Sequence, residues 1–218
     1  YEGYDNYDGS TLPNGFSQPG MGISFTKTEI SGNPALKYVN EYIPENSGTS
    51  NFSIKGTEPL DFSKGALLLS YDVTPQSNLT WLGDGAKSNI LLPTLRIGST
   101  EISQLSIIEH GGIKAAYKTA PTAWGRSAYL TGWENNTLVA DTTVKFQLLL
   151  EKEGNKITAT QYINEKPVYY TLSDEAKLAS VTVDITEEEL AKEWTLTMAG
   201  RRFPNGLVFD NFHITTVD

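Results

Sequence analysis

Cysteine is absent and histidine occurs only twice, as His110 and His213. The first absence excludes disulfides, thiolate metal sites and a Cys nucleophile. The second leaves a zinc site of the ordinary type short of ligands. A Ser-His-Asp triad would have to use one of these two rings, and no nucleophile-elbow sequence supports it. Positive charge is scarce as well, with 17 Lys and Arg against 26 Asp and Glu and a net charge of −9. Nucleic acid is therefore not an expected partner, because its phosphates need a basic face. No apolar run approaches the length of a membrane-spanning helix, so no membrane partner is expected either.

Hydrophobic residues make up 39% of the 218, enough for a sizeable core, while charged residues make up only 20%. That length and composition predict one domain over residues 1–218. Abundant Asn, Thr, Ser, Gly and Tyr suit an extracellular bacterial protein, secreted or on the cell surface. The sequons at Asn51, Asn78 and Asn135 matter only in a eukaryotic secretory pathway. A chain beginning at Tyr1, without Met, reads as an excised module or a processed chain.

Strand signals recur between Gly, Pro and Asn punctuation. Residues 22–30 and 35–43 flank "SGNP" as a hairpin. Strands are further predicted at 51–57, 65–75, 92–98, 105–109, 113–118, 143–151, 156–163, 166–170, 194–200 and 207–217. In 143–151 the alternation puts Val144, Phe146, Leu148 and Leu150 on one face. Only 185–194 reads as helix, with Thr186 and Glu189 as a capping box and an acidic first turn. About a dozen strands and one short helix predict an all-β fold, a two-sheet antiparallel β-sandwich.

Three stretches carry a resemblance. The opening "YEGYDNYDGSTLPNGFS" with "GNPALKYVNEY", the hairpin "FQLLLEKEGNKITATQYINEKPV" and the closing "LVFDNFHI" stand in the order seen in concanavalin A-like and laminin-G-like jelly rolls of bacterial polysaccharide-degrading proteins. The chain resembles the carbohydrate-binding modules among them. The resemblance implies neighbouring first and last strands and a structural Ca²⁺ between them, with Glu2 and Asp210 as ligands. Ca²⁺ takes six to eight oxygens, which suits a carboxylate in mid-strand. The alternative is that Asp210 bonds backbone amides or pairs with Arg201 or Arg202. Asp5 and Asp8 are too loosely spaced to define a second calcium loop.

Glucanase-type jelly rolls carry Glu-x-Asp-x-(x)-Glu on one strand, and no stretch here has it. His110 and Tyr117 only loosely follow the order of the alginate-lyase type, and the Gly-Gly after His110 marks a turn. His213 is expected to face solvent or to be satisfied structurally. Binding has more support. Four Trp and eleven Tyr exceed the needs of a core, and sugar C–H faces stack on exposed aromatic rings. The stretch 120–136, read as a loop between strands, concentrates Trp124, Arg126, Tyr129, Trp133, Glu134 and Asn135. A second loop, 77–89, offers Trp81, Asp84 and Lys87, while Trp194 is assigned to the core. For each loop Trp, covering the core is the competing role.

The function expected is a non-catalytic carbohydrate-binding module, taking polysaccharide or oligosaccharide as a monomeric unit of a larger extracellular glycan-degrading protein. Alternatives are a jelly-roll polysaccharide lyase or glycoside hydrolase with a divergent site, and a structural or adhesive spacer. The overall acidity favours neutral over sulfated or uronic polymers unless a local basic patch reverses it.

Overall fold

A computed structural model describes the backbone of residues 23–30, 33–40, 50–56, 58–76, 89–103, 105–107, 112–120, 123–201 and 207–217. Side chains are described for 55–56, 58–76, 94–103, 112–115, 128–134, 136–197 and 207–217. In chain order the first strands are β1 (Ile23–Ile30), β2 (Asn33–Asn40), β3 (Ser50–Lys55), β4 (Ala66–Pro75) and β5 (Asn89–Ile97). There follow β6 (Thr100–Glu101), β7 (Leu105–Ile107), β8 (Ile113–Ala120), β9 (Ala123–Thr131), β10 (Val144–Glu153) and β11 (Lys156–Ile163). The last are β12 (Lys166–Pro167), β13 (Tyr169–Leu172), β14 (Glu175–Leu178), β15 (Ser180–Asp184), the helix α1 (Glu187–Leu190), β16 (Trp194–Arg201) and β17 (Leu207–Val217).

Two antiparallel sheets result. Sheet I runs β1-β2-β17-β4-β10-β11-β12, with β15 also on β11. Sheet II runs β14-β13-β9-β8-β7-β5-β16-β3, with β6 on β5. Period-2 alternation explains how they meet, because alternate side chains point to opposite faces. Val144, Phe146, Leu148 and Leu150 are buried and stand opposite Val73, Tyr71, Leu69 and Leu67 of β4. Sheet II supplies Leu95, Ile97, Ile113, Leu130, Trp194 and Leu196 to the same core. Tyr71 stacks on Phe146 at 5.6 Å and on Phe212 at 5.3 Å between centroids.

Gln161 is an exception in the core row: 8% exposed, it stands opposite Leu148. It lines a cavity of about 10 Å³ with Ser103 and Tyr170, room for one water among polar partners.

The sequence-predicted helix is shortened to α1, one turn. Thr186 caps it as expected, its hydroxyl accepting from the Glu189 amide at 3.1 Å. The Glu189 carboxylate, however, serves a tertiary contact: it accepts from the Ser99 backbone amide, from Ser99 Oγ at 2.8 Å and from Lys192 at 2.6 Å. These bonds, Lys192 first, hold its pKa at about 2 against the usual 4.5. A carboxyl depressed on folding stabilises above its unfolded pKa and loses that contribution as pH falls through the folded value. Glu189→Gln is therefore expected to lower the melting temperature at pH 6, with the difference shrinking below pH 4.5 and gone near 2. A gap unchanged with pH would contradict this assignment.

Candidate functional site

Four adjacent strands of sheet II build one outward row. In β9, Leu130 is buried and Tyr129 is 53% exposed, as alternation requires. Lys114 of β8 stands opposite Tyr129, and its Nζ lies 4.6 Å from the ring centroid. In β13, Tyr170 is buried against the core and Tyr169 is 38% exposed; their partners are Leu130 and Thr131 respectively. Leu178 of the edge strand β14 is 42% exposed and stands opposite Tyr169. Tyr129 and Tyr169 are thus diagonal neighbours on one face, a relation that places residues about 7–8 Å apart.

Local chemistry fits the turn after β9 to Tyr169. Thr131 Oγ1 donates to the Tyr169 carbonyl at 3.3 Å. Gly132, at φ +91°, follows β9, and a Cβ there would stand 3.3 Å from Tyr169 Cδ2. A side chain at this position would be both strained and tight against the ring. The row is therefore two amphipathic rings and an aliphatic side chain with an ammonium at one end. Such a surface can stack flat apolar faces and attract negative charge.

The expected site residues fall unevenly on this frame. Tyr129 lies in the row. Trp124 and Arg126 belong to strand β9 rather than to a loop; Trp124 stands opposite Lys118 across irregular pairing, and the side chains of both lie outside the described residues. Trp133 is only 7% exposed and donates from Nε1 to the Leu130 carbonyl at 3.3 Å. It is a core residue, because the turn at Gly132 folds the indole back under the strand. Glu134 is exposed at the start of a single 3-10 turn. Trp81, Asp84, Lys87, His110, Asn78 and Glu2 lie outside the described residues. Tyr169, Leu178 and Lys114 were not foreseen, although the buried-exposed-buried order of Val168, Tyr169 and Tyr170 was readable as alternation.

The closing "DN" marks a β-bulge on the opposite sheet. Asp210 stands opposite Asp72 and His213 opposite Ser70, so Asn211 and Phe212 together face one residue. Asn211 takes φ +52°, a conformation Asn tolerates better than most residues. Its amide donates to Asp210 Oδ1 at 2.8 Å and its Nδ2 to Asp72 Oδ2 at 2.7 Å. The expectation that Asp210 bonds a backbone amide is met locally. His213 is exposed and satisfied: Nε2 is 2.7 Å from Ser70 Oγ and Nδ1 2.9 Å from the Asn211 carbonyl. The imidazole clips the bulge to β4. β17 has β2 and β4 as neighbours, with β1 one strand further out.

No protein-family model matches the chain, and no curated protein matches it. Solved structures do. The endo-β-1,4-glucuronan lyase of the fungus Trichoderma reesei is similar at TM-score 0.50 and 11% identity, over 97% of this chain and 92% of that one. The alginate lyase of Klebsiella pneumoniae gives 0.47 and 12%, over 88% and 84%. Lectin I-B4 of Griffonia simplicifolia gives 0.45 and 9%, over 98% of each chain. Similarity at these identities is similarity of fold, and the fold is the concanavalin A-like jelly roll.

Proposed function

We propose that this chain binds carbohydrate on the outer face of sheet II without cleaving it. The observation that carries the proposal is the row of Tyr129, Tyr169 and Leu178, three of the four large apolar side chains exposed among the described residues, on adjacent strands of one face. The strands fix the backbone beneath both rings, so binding there costs no ordering of a loop. A fold shared with a lyase named for glucuronan supports a saccharide partner. The lack of a Glu-x-Asp-x-(x)-Glu strand in the sequence supports binding over hydrolysis. The composition supports an extracellular setting, and beside other binding modules a modest affinity per site would be multiplied.

Affinity electrophoresis on a panel of polysaccharides, run beside reducing-end and unsaturated-product assays, tests both halves. Retention without product is expected. Product formation would overturn the non-catalytic half, and indifference to every glycan the other.

A structural Ca²⁺ at Asp210 belongs to the same proposal. The described donors at the bulge are the carboxylates of Asp72 and Asp210, paired across two strands. Lys145 faces Asp72 from β10 and Asn211 donates to both carboxylates, and a divalent cation would relieve the repulsion that remains between like charges directly opposite. Two carboxylates fall short of six oxygens, so Glu2 and backbone carbonyls would complete the shell. EDTA is expected to lower the melting temperature, added Ca²⁺ to restore it, and Asp210→Asn to remove the response. A melting curve indifferent to both reagents would exclude the ion.

A further inference from the structure

We propose that Lys114 makes this surface selective for an anionic saccharide, its ammonium meeting a carboxylate or sulfate ester while the sugar ring stacks beside it. The inference rests on the carbohydrate reading of the row and names its ligand class. Three cations are described on the outer face of sheet II: Lys55, Arg96 and Lys114. The first two are answered, Lys55 by Glu193 at 3.9 Å and Arg96 by Glu101 at 2.6 Å. Among the described residues Lys114 has no ion pair, and its contact is the ring of Tyr129.

The position is as informative as the charge. Lys114 lies in the interior of sheet II, with β7 on one side and β9 on the other. Its side chain is half-buried, so its stem is held and the ammonium sits at the end of the aromatic row. A ring uses one side of an ammonium; its remaining hydrogens are free to donate to an oxyanion. Charge-assisted bonds of this kind are about twice as strong as neutral ones.

The net charge of −9 does not oppose this locally. The Debye length is about 8 Å at physiological salt, and the paired carboxylates of Asp72 and Asp210 belong to the other sheet. The expectation of a neutral polymer, drawn from overall acidity, gives way to the local charge.

The test compares a polyuronate, a sulfated galactan and a neutral β-glucan by affinity electrophoresis, using the chain and its Lys114→Gln, Lys114→Arg and Tyr129→Ala variants, each checked for an unchanged melting temperature. At least one anionic polymer is expected to be retained more tightly than the glucan, with retention falling as salt rises. Lys114→Gln should weaken anionic binding about tenfold, the scale of one hydrogen bond to a charged group. It should leave any glucan binding within about twofold, and Lys114→Arg should recover most of the loss. Retention of the polyuronate alone assigns the carboxylate, and of the galactan alone the sulfate ester. Equal retention of neutral and anionic polymers, or indifference to Lys114→Gln, overturns the proposal. If the glucan is retained at least as tightly as both anionic polymers and Tyr129→Ala abolishes that, the carbohydrate reading survives and this inference fails. If none of the three polymers is retained, this inference fails, and the carbohydrate reading fails with it only when the wider panel of polysaccharides is not retained either.

Discussion

The variant carrying Tyr129→Ala and Tyr169→Ala is expected to lose retention on every polysaccharide that the unaltered chain holds. Covering about 60 Å² of ring at about 25 cal/mol/Å² yields about 1.5 kcal/mol, or about tenfold in affinity per ring. The pair together should therefore cost about a hundredfold, with departure from additivity because the rings are neighbours. Both rings already face solvent, so their removal opens no cavity, and surface changes of this kind usually move stability by less than about 0.5 kcal/mol. The measurement is affinity electrophoresis beside thermal melting. Loss of binding with an unchanged melting curve is the expected pair of results. Unchanged retention would remove the row from the site and return attention to Trp124, on the same strand. Gly132→Ala is a subtler probe, since it displaces Tyr169 without deleting it.

Phe212→Ala acts on the opposite property. The ring is 5% exposed, stacks on Tyr71 at 5.3 Å and lies 6.3 Å from Phe209. It also borders a cavity of about 50 Å³ lined by Leu69, Trp194, Leu196 and Ile214. Truncation would merge the vacated volume with that space, and Phe→Ala in cores costs about 3–5 kcal/mol. At about 2–4 °C per kcal/mol for a domain of this size, the melting temperature should fall by roughly 10 °C. Thermal or urea unfolding measures it directly. A loss below about 1 kcal/mol would mean that Phe212 is not the packed centre of the bulge.

Much of the sandwich was legible because its determinants are local. The alternation of Val144, Phe146, Leu148 and Leu150 and the Gly154–Asn155 turn placed a hairpin whose second strand, Lys156–Ile163, has the expected bounds. Likewise, Leu207–Val217 was foreseen to the residue. The site was less legible because it is made by register across strands. Tyr129 stood out within its own segment, but its neighbour Tyr169 lies forty residues away in sequence and meets it only through the pairing of Tyr169 with Thr131. The Gly residues of 120–136 punctuate it as they would a loop, whereas Gly125 is accommodated in an irregular strand. Trp133 misled for a related reason: a Trp beside a Gly suggests display, yet the Gly supplied the turn that buried it. The bulge at Asp210 was signalled by the misplaced polar pair, although its form depends on Asp72, which only the fold brings opposite.

The orientation of the aromatic row limits how a polymer can be held. It crosses β8, β9, β13 and β14 obliquely, stepping two residues along the strands between Tyr129 and Tyr169, and neighbouring strands stand about 4.8 Å apart, so the footprint is roughly 14 Å across. A glycan lying along it would run crosswise over the ribbons and leave past the rim formed by β14, touching only a few units. Such a grip suits internal stretches of a long chain rather than its tips. Several copies could then settle along one strand of polymer without competing for an end.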